Sequence, residues 1–173
     1  MSLLIRMKNR LLAKLAARYP AVAQRLIENY QPLECVGDIP WTRPARPLRD
    51  SRLALVTTAG IHHPEQQPFN MQDRDGDPSF RVLDGNTLLA DFRITHDYYD
   101  HRDARMDPNI IVPLDRLREL VADGVLGDLA QTHYGFMGHI DGPHINTLVH
   151  KTAREVAEKL RADQVDLVLL TPA

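Results

Sequence analysis

The sequence is poor in thiol: its 173 residues include one cysteine, Cys35. A lone cysteine excludes a disulfide framework within the chain and a metal site built from several thiolates of one chain. Runs of about 18 apolar residues are also missing, so no segment is predicted to cross a membrane. The N-terminal residues lack the unbroken apolar stretch of a secretory signal, because basic side chains interrupt them repeatedly. We therefore expect a cytoplasmic location.

Charge and missing motifs exclude several function classes. The 21 basic and 23 acidic residues give a formal net charge of −2, whereas nucleic-acid-binding domains normally carry an excess of basic residues. The sequence has no glycine-rich phosphate-binding pattern and no Gly-x-Ser-x-Gly turn for a nucleophilic serine. We expect a small-molecule substrate as a partner, and neither nucleic acid nor a membrane.

The order of apolar patterns predicts an α/β fold with three layers, in which helices flank a mostly parallel sheet. Residues 52–58 form a short apolar run that is typical of a buried strand. Helical periodicity over 113–123, with Gly124 as its C-cap, and over 145–162 precedes an apolar strand at 165–170. Further predictions are strands at 80–83 and 88–94, a short helix at 125–130 and a loop at 132–138.

Residues 1–50 are predicted to form an N-terminal helical extension followed by a proline-rich crossing segment. Apolar residues recur at near-helical spacing over 3–30, and Pro20 divides this stretch. Its basic, amphipathic character is also seen in transit peptides and membrane-surface helices; we interpret it as a helix docked on the domain. The core domain then occupies 51–173. A parallel strand normally continues into another helix, so either the last strand closes the fold or the domain is incomplete at its C-terminus, and the motifs given below favour the second.

Candidate site residues follow the first predicted strand. Thr58 is the last residue of this strand, and Gly60 and His62 follow it, at the end where open α/β sheets bind ligands. The His62 imidazole can hold a carboxylate or move a proton near neutral pH. Arg81, with Asp77 nearby, is suited to clamp a substrate carboxylate through two hydrogen bonds. The alternatives are a hydrogen-bonded loop histidine and a structural salt bridge between Asp77 and Arg81.

A second polar loop supplies further candidates. His96 and Asp97 form an acid–base pair, which we assign to catalysis together with His62. No metal site is predicted, because the His-x-x-x-His spacing of a helical zinc site is missing. The remaining substrate-binding candidates are Asp107, Asn109, Arg116 and Tyr134. The structural alternative is turn formation for Asp107 and Asn109, ion pairing along a helix for Arg116, and core packing for Tyr134.

Short motifs also occur in order along most of the chain. They are 37–42 (GDIPWT), 55–62 (LVTTAGIH), 76–81 (GDPSFR), 95–100 (THDYYD), 107–109 (DPN) with 113–117 (PLDRL), 134–138 (YGFMG) and 165–172 (VDLVLLTP). As an ordered set, covering roughly residues 35–173, they resemble the selenoprotein B family of the glycine, sarcosine, betaine and D-proline reductases.

The resemblance implies a reductive cleavage. In that family, the strand that resembles 165–172 leads into a motif that begins with selenocysteine or cysteine. This residue attacks the α-carbon of a small amino acid or related substrate, the C–N bond is cleaved, and thiols supply the electrons. We therefore expect a selenocysteine or cysteine after Ala173, and no cofactor within this chain. A UGA codon read as stop, an artificial boundary and a natural terminus remain open.

The resemblance also implies other reductase subunits as partners, and homo-oligomerisation remains open. Two other functions compete with the reductase. One is a metal-dependent hydrolase that uses the histidine and aspartate loops. The other is a non-catalytic subunit that binds a small molecule or assists assembly.

Overall fold

The computed structural model describes residues 3–28 and 42–173. Its N-terminal segment is a pair of helices, α1 (Leu3–Arg18) and α2 (Pro20–Glu28), divided at Pro20 as the sequence predicts. Cys35, motif residues 37–41 and the first part of the proline-rich segment, residues 31–41, lie outside the described residues. Within the described ranges, no helix is long and apolar enough to cross a bilayer.

Seven strands and four further helices lie within residues 42–173. The strands are β1 (Arg52–Thr57), β2 (Ile61–His62), β3 (Phe80–Asp84), β4 (Arg93–Ile94), β5 (Asp128–Leu129), β6 (Thr132–Phe136) and β7 (Leu167–Thr171). The helices are α3 (Arg102–Met106), α4 (Leu114–Ala122), α5 (His144–Thr147) and α6 (Ala153–Ala162), and a π-helical turn, Leu148–Thr152, joins α5 to α6.

β1 is the centre of the main sheet. One of its edges pairs in parallel with β7, from Leu53 opposite Leu167 to Thr57 opposite Thr171. Its other edge pairs in parallel with β5 and then β6, and β3 runs antiparallel on β6. A separate antiparallel pair consists of β2 and β4. Because β1, β6 and β7 are parallel, their carboxyl ends meet at one edge of the sheet.

Apolar clusters on the two faces of the sheet make the three layers. On one face, Leu55 and Leu83 pack with Leu114 and Leu117 of α4. On the other, Ala54 and Tyr134 pack with Val156 and Leu160 of α6. The predicted α/β class, a mostly parallel sheet flanked by helices with an N-terminal helical segment, is confirmed. The division into segments 1–50 and 51–173 stays a prediction.

Three local predictions are wrong. Residues 128–129 form β5 instead of part of a helix, and 132–136 form β6 instead of a loop. Packing outweighs local signals in β6: a Cβ on Gly135 would lie 2.6 Å from the Ile61 carbonyl oxygen, so this strand needs glycine to pass β2 closely. The predicted strand 88–94 shrinks to Arg93–Ile94, because Leu89–Asp91 form a 3-10 turn.

Candidate active site

The carboxyl ends of three parallel strands create a small group of converging backbone and side-chain atoms. The Thr58 N–H donates to the Thr171 carbonyl oxygen at 3.0 Å, and the Ala173 N–H donates to the Thr58 hydroxyl oxygen at 3.2 Å. Gly138 lies just beyond β6: a Cβ on it would approach the Thr58 carbonyl oxygen to 3.0 Å and the Ala173 carbonyl oxygen to 3.3 Å. That same position is 3.1 Å from Nε2 of His96. We call Thr58, His96, Gly138 and Ala173 the strand-end cluster.

His96 is the titratable side chain of this cluster. Its ring is buried (3% exposed), and its Nδ1 accepts a hydrogen bond from the Tyr98 N–H at 3.1 Å. In the neutral ring, the hydrogen therefore sits on Nε2, which has no hydrogen-bond partner among the described residues. Burial lowers the pKa of His96 to about 4, with a smaller effect from His101 and His139. At neutral pH, this imidazole is a neutral N–H donor beside the ends of β1 and β7.

Two tyrosines fix the His96 loop. The Tyr99 hydroxyl donates to the Ala59 carbonyl oxygen at 3.1 Å, and its ring lies 4.9 Å from the His96 ring. Burial raises the pKa of Tyr99, so its hydroxyl keeps its proton and this anchor. Tyr98 stacks on His139 with ring centroids 4.1 Å apart. Sequence reasoning missed both tyrosines and Gly138 as site residues, although all three lie in the family-like motifs 95–100 and 134–138.

Gly60 and His62 support this loop from the other side. Gly60 has φ +68°, and a Cβ there would lie 2.4 Å from the Thr95 carbonyl oxygen, so only glycine allows this approach. The ring of His62 is buried, its Nδ1 donates to the His63 carbonyl oxygen at 2.8 Å, and its Nε2 pairs with the Thr95 hydroxyl at 2.9 Å. Both ring nitrogens are in use, as in the structural alternative of a hydrogen-bonded histidine, although His62 lies in β2 and not in a loop.

Asp97 follows His96 and holds the N-terminal helix. Its carboxylate is 1% exposed and accepts hydrogen bonds from Nε of Arg6 and Nε of Arg10, each at 2.6 Å. Burial alone would raise the pKa of Asp97, but the two guanidinium groups outweigh it and keep the pKa below the usual range. Because both carboxylate oxygens have arginine partners, this geometry gives Asp97 a docking role for α1.

Asp77 and Arg81 are engaged with their own loop. Nε of Arg81 donates to the Gln67 carbonyl oxygen at 2.7 Å, and Nη1 donates to the Ser79 hydroxyl and to the Phe80 carbonyl oxygen. Asp77 accepts from the Ser79 hydroxyl and from the Asn70 N–H, while Arg81 Nη2 lies 3.8 Å from its carboxylate. The pair holds residues 67–70 against β3.

The remaining candidates lie elsewhere in the fold. Asp107 accepts from the Asn109 N–H, and Asn109 in turn accepts from the Asp115 N–H at the start of α4. Asp107 and Asn109 also border a cleft of about 780 Å³ with a mixed polar and apolar lining that includes Ile61 and Phe92. Two candidates lie outside the strand-end cluster and outside this cleft. Arg116 pairs with Glu119 on the exposed face of α4, and Tyr134 is buried in the core between the sheet and α6.

The structure thus brings Thr58, Gly60 and His96 together, whereas His62 pairs with Thr95 and Asp97 with two arginines of α1. It does not bring Asp77, Arg81, Asp107, Asn109, Arg116 or Tyr134 into the strand-end cluster. Within residues 3–28 and 42–173, no group of three or more histidine, cysteine, aspartate or glutamate side chains is arranged to hold a metal ion. The metal-dependent hydrolase therefore has no ligand set in the described part of the chain.

Comparison with known proteins gives the lineage. The sequence profile of the glycine/sarcosine/betaine reductase selenoprotein B family matches residues 22–173. The chain belongs to this family. The resemblance read from the ordered motifs is confirmed, and the match covers β1, β6 and β7 but not α1.

Curated relatives of this reductase family carry subunit names. The D-proline reductase subunit gamma of Acetoanaerobium sticklandii is 37% identical over 131 residues, 76% of this chain and 52% of the relative. The glycine reductase complex component B subunit gamma of Symbiobacterium thermophilum is 31% identical over 143 residues, 81% of this chain and 32% of the relative.

A third relative, the sarcosine reductase complex component B subunit beta of Peptoclostridium acidaminophilum, is 27% identical over 147 residues, 83% of this chain and 33% of the relative. The chain thus spans about half the length of the D-proline reductase relative and about a third of the other two. No solved structure matches the chain significantly.

Proposed function

We propose that this chain forms the α/β part of a reductase subunit that cleaves a C–N bond in a small amino acid or a related compound. We further propose that the nucleophile, a selenol or thiol, is carried by the segment that follows β7. One observation supports the position: the Ala173 N–H is bonded to Thr58 and its carbonyl oxygen faces Gly138, beside Nε2 of His96, which has no partner among the described residues. A residue at position 174 would start from this cluster.

In this proposal, His96 assists as a hydrogen-bond donor. A selenolate or thiolate attacks the α-carbon, a carbon–selenium or carbon–sulfur bond forms, and the amino nitrogen leaves with a proton. A second thiol then attacks the bound selenium or sulfur, the carbon takes up a proton, and a selenenylsulfide or disulfide remains. The two electrons thus come from the selenol and thiol pair. An N–H in a buried site stabilises the developing or resting anion far more than water would.

A subunit role follows from the same comparisons. The relatives are named as subunits of D-proline, glycine and sarcosine reductases, and we propose that this chain also works with other reductase subunits. β7 offers a surface for such contacts, because it pairs only with β1 among the described strands and exposes Leu170. A non-catalytic assembly subunit would use the same surface. The experiment below therefore distinguishes a catalytic subunit from a non-catalytic one by its activity.

The test begins with the nucleotides that follow the Ala173 codon. We expect an in-frame UGA or cysteine codon, followed by coding sequence with a further cysteine nearby. The extended protein, with cysteine at position 174 if selenocysteine is not incorporated, is then assayed with glycine, sarcosine, betaine and D-proline for dithiol-dependent product formation. The assay includes the other subunits encoded with it.

Variants of the extended protein test the role of the cluster. His96→Asn removes the Nε2 donor and should lower kcat at least about tenfold, whereas His150→Asn, on an exposed surface position, should leave it unchanged. An absent downstream reading frame, or an extended protein inactive on all four substrates with its partners, would favour the non-catalytic assembly role. Equal activity of the His96→Asn protein would remove His96 from the mechanism.

A further inference from the structure

A cleft of about 310 Å³ lies between α1 and α3, and cationic side chains dominate its lining. We call it the basic cleft. Two of these side chains come from each helix, so the cleft exists only while α1 is docked. Its lining residues are Arg10, Lys14, Ile94, Tyr99, Asp100, His101, Arg102 and Arg105.

The charge in the basic cleft is poorly balanced. Four of its side chains are permanent cations, of which Arg10 already pairs with the buried Asp97 at 2.6 Å. Asp100 is the one carboxylate among the described residues that line the cleft. Nη2 of Arg102 holds that carboxylate at 2.6 Å. Lys14 and Arg105 have no side-chain hydrogen bond or ion pair with any other described residue. Like charges gathered in a concave surface raise a positive potential that attracts anions.

His101 adds an unused donor or acceptor to the same place. Its Nε2 is shielded from solvent and has no hydrogen-bond partner in the described part of the chain. Its ring packs against Tyr99 with centroids 4.4 Å apart. Burial lowers the pKa of His101, and the nearby Arg105 and Arg10 lower it further. Shielded polar atoms without partners are rare, and a ligand is one explanation for them.

We propose that the basic cleft binds a small dianion, either a phosphate group or a dicarboxylate. The shared chemistry is two negative charges on closely spaced oxygen atoms, which guanidinium groups hold by paired hydrogen bonds and which a lysine ammonium neutralises. The volume suits a compact ligand. Because Arg10 and Lys14 belong to α1 while Arg102 and Arg105 belong to α3, a bound dianion also ties α1 to the domain.

Calorimetric titration of the chain with inorganic phosphate and, separately, with succinate at low ionic strength tests this proposal. At least one should bind saturably with one site per chain. Tighter binding of phosphate identifies a phosphate ligand, and tighter binding of succinate identifies a dicarboxylate. Binding should also slow tryptic cleavage after Arg10 and Lys14, because it holds α1 on α3.

Matched variants separate a built site from general attraction. Lys14→Ala and Arg105→Ala should each raise Kd about tenfold, because each removes a charge-assisted contact. Lys8→Ala on α1 and Arg154→Ala on α6 lie outside the cleft lining and should leave Kd within about twofold. All four positions are exposed, and circular dichroism melting checks that each variant folds. Absence of binding by both ligands, or equal weakening by the control variants, would overturn the proposal.

Discussion

Replacing both Arg6 and Arg10 by methionine would remove the two partners of a buried carboxylate. Asp97 is 1% exposed and bonds only these two guanidinium groups through its side chain among the described residues. Breaking a buried ion pair by removing one side costs about 3–5 kcal/mol, since a charge is left without compensation. Here we expect the lower end, about 3 kcal/mol, because Arg10 is 59% exposed and solvent screens it.

The loss of stability in the double variant should depend on pH in a defined direction. In the native chain, the pKa of Asp97 is lowered from its ordinary value of 3.8. Its stabilising effect is therefore present above about pH 3.8 and is lost as the pH falls through the lower folded pKa. In the double variant, burial without partners raises that pKa instead. The carboxylate then destabilises the fold increasingly as the pH rises from 4 to 7.

Urea unfolding of both proteins, followed by circular dichroism between pH 4 and pH 7, measures this effect. The difference in the free energy of unfolding should grow as the pH rises. Adding Asp97→Asn to the double variant should restore at least half of the loss, since the uncompensated charge is gone. The control, Lys8→Met with Arg18→Met, removes two charges from the same helix. The reasoning fails if the Arg6 and Arg10 variant is as stable as the native chain at pH 7, or if Asp97→Asn restores nothing.

Two further predictions concern buried groups. Burial lowers the pKa of His133 from 6.5 to about 4, as it does for His96. Because both histidines take up a proton more readily in the unfolded chain, the free energy of unfolding should fall by on the order of 3 kcal/mol per histidine between pH 6.5 and pH 4. A free energy of unfolding that stays constant over this range, measured with urea, contradicts the prediction. Gly135→Ala should cost about 2–3 kcal/mol, because its Cβ would meet the Ile61 carbonyl oxygen at 2.6 Å. Gly124→Ala, with φ +70° and open space around it, should cost about 1 kcal/mol; equal losses by the two variants in thermal unfolding would show that the close contact carries no cost.

Elements with long periodic patterns were predictable from the sequence. Elements that depend on tertiary packing and strand pairing were not. The apolar spacing in 113–123 and Gly124 after it matched α4 and its C-terminal turn, where Gly124 has φ +70°. By contrast, β6 contains a polar histidine at its second position. His133 is fully buried, and its Nδ1 accepts the backbone N–H of Leu55 at 3.0 Å. A side chain here replaces a carbonyl acceptor in the strand pairing, which no local pattern reveals.

The candidate site was only partly predictable from the sequence, because contacts between residues distant in the chain create it. Thr58 and Gly60 are candidates from the sequence because ligands of open α/β sheets bind beyond strand ends, and His96 is a candidate because it stands beside Asp97 as an acid–base pair. Gly138 is not among the candidates, since its place in the cluster comes from the carbonyl oxygens of Thr58 and Ala173 that approach it in space. Asp97 looked like an acid–base partner because it follows His96 in sequence. Its arginine partners are 91 and 87 residues away.

The contrast between engaged and unengaged polar atoms argues for where the chemistry lies. Arg81 and Asp97 have the charge expected of a substrate clamp or a catalytic acid, yet their polar atoms already have partners within the chain. His96 has the opposite character, because it is buried and neutral, and its Nε2 lacks a partner among the described residues. His133 shares these properties, but it lies in the second position of β6, whereas His96 lies at the carboxyl ends of the strands. Forming a buried site with an unpaired donor costs free energy unless something binds there. The strand ends at Thr58 and Ala173 are therefore the better place to test for the proposed reaction than the more highly charged loops.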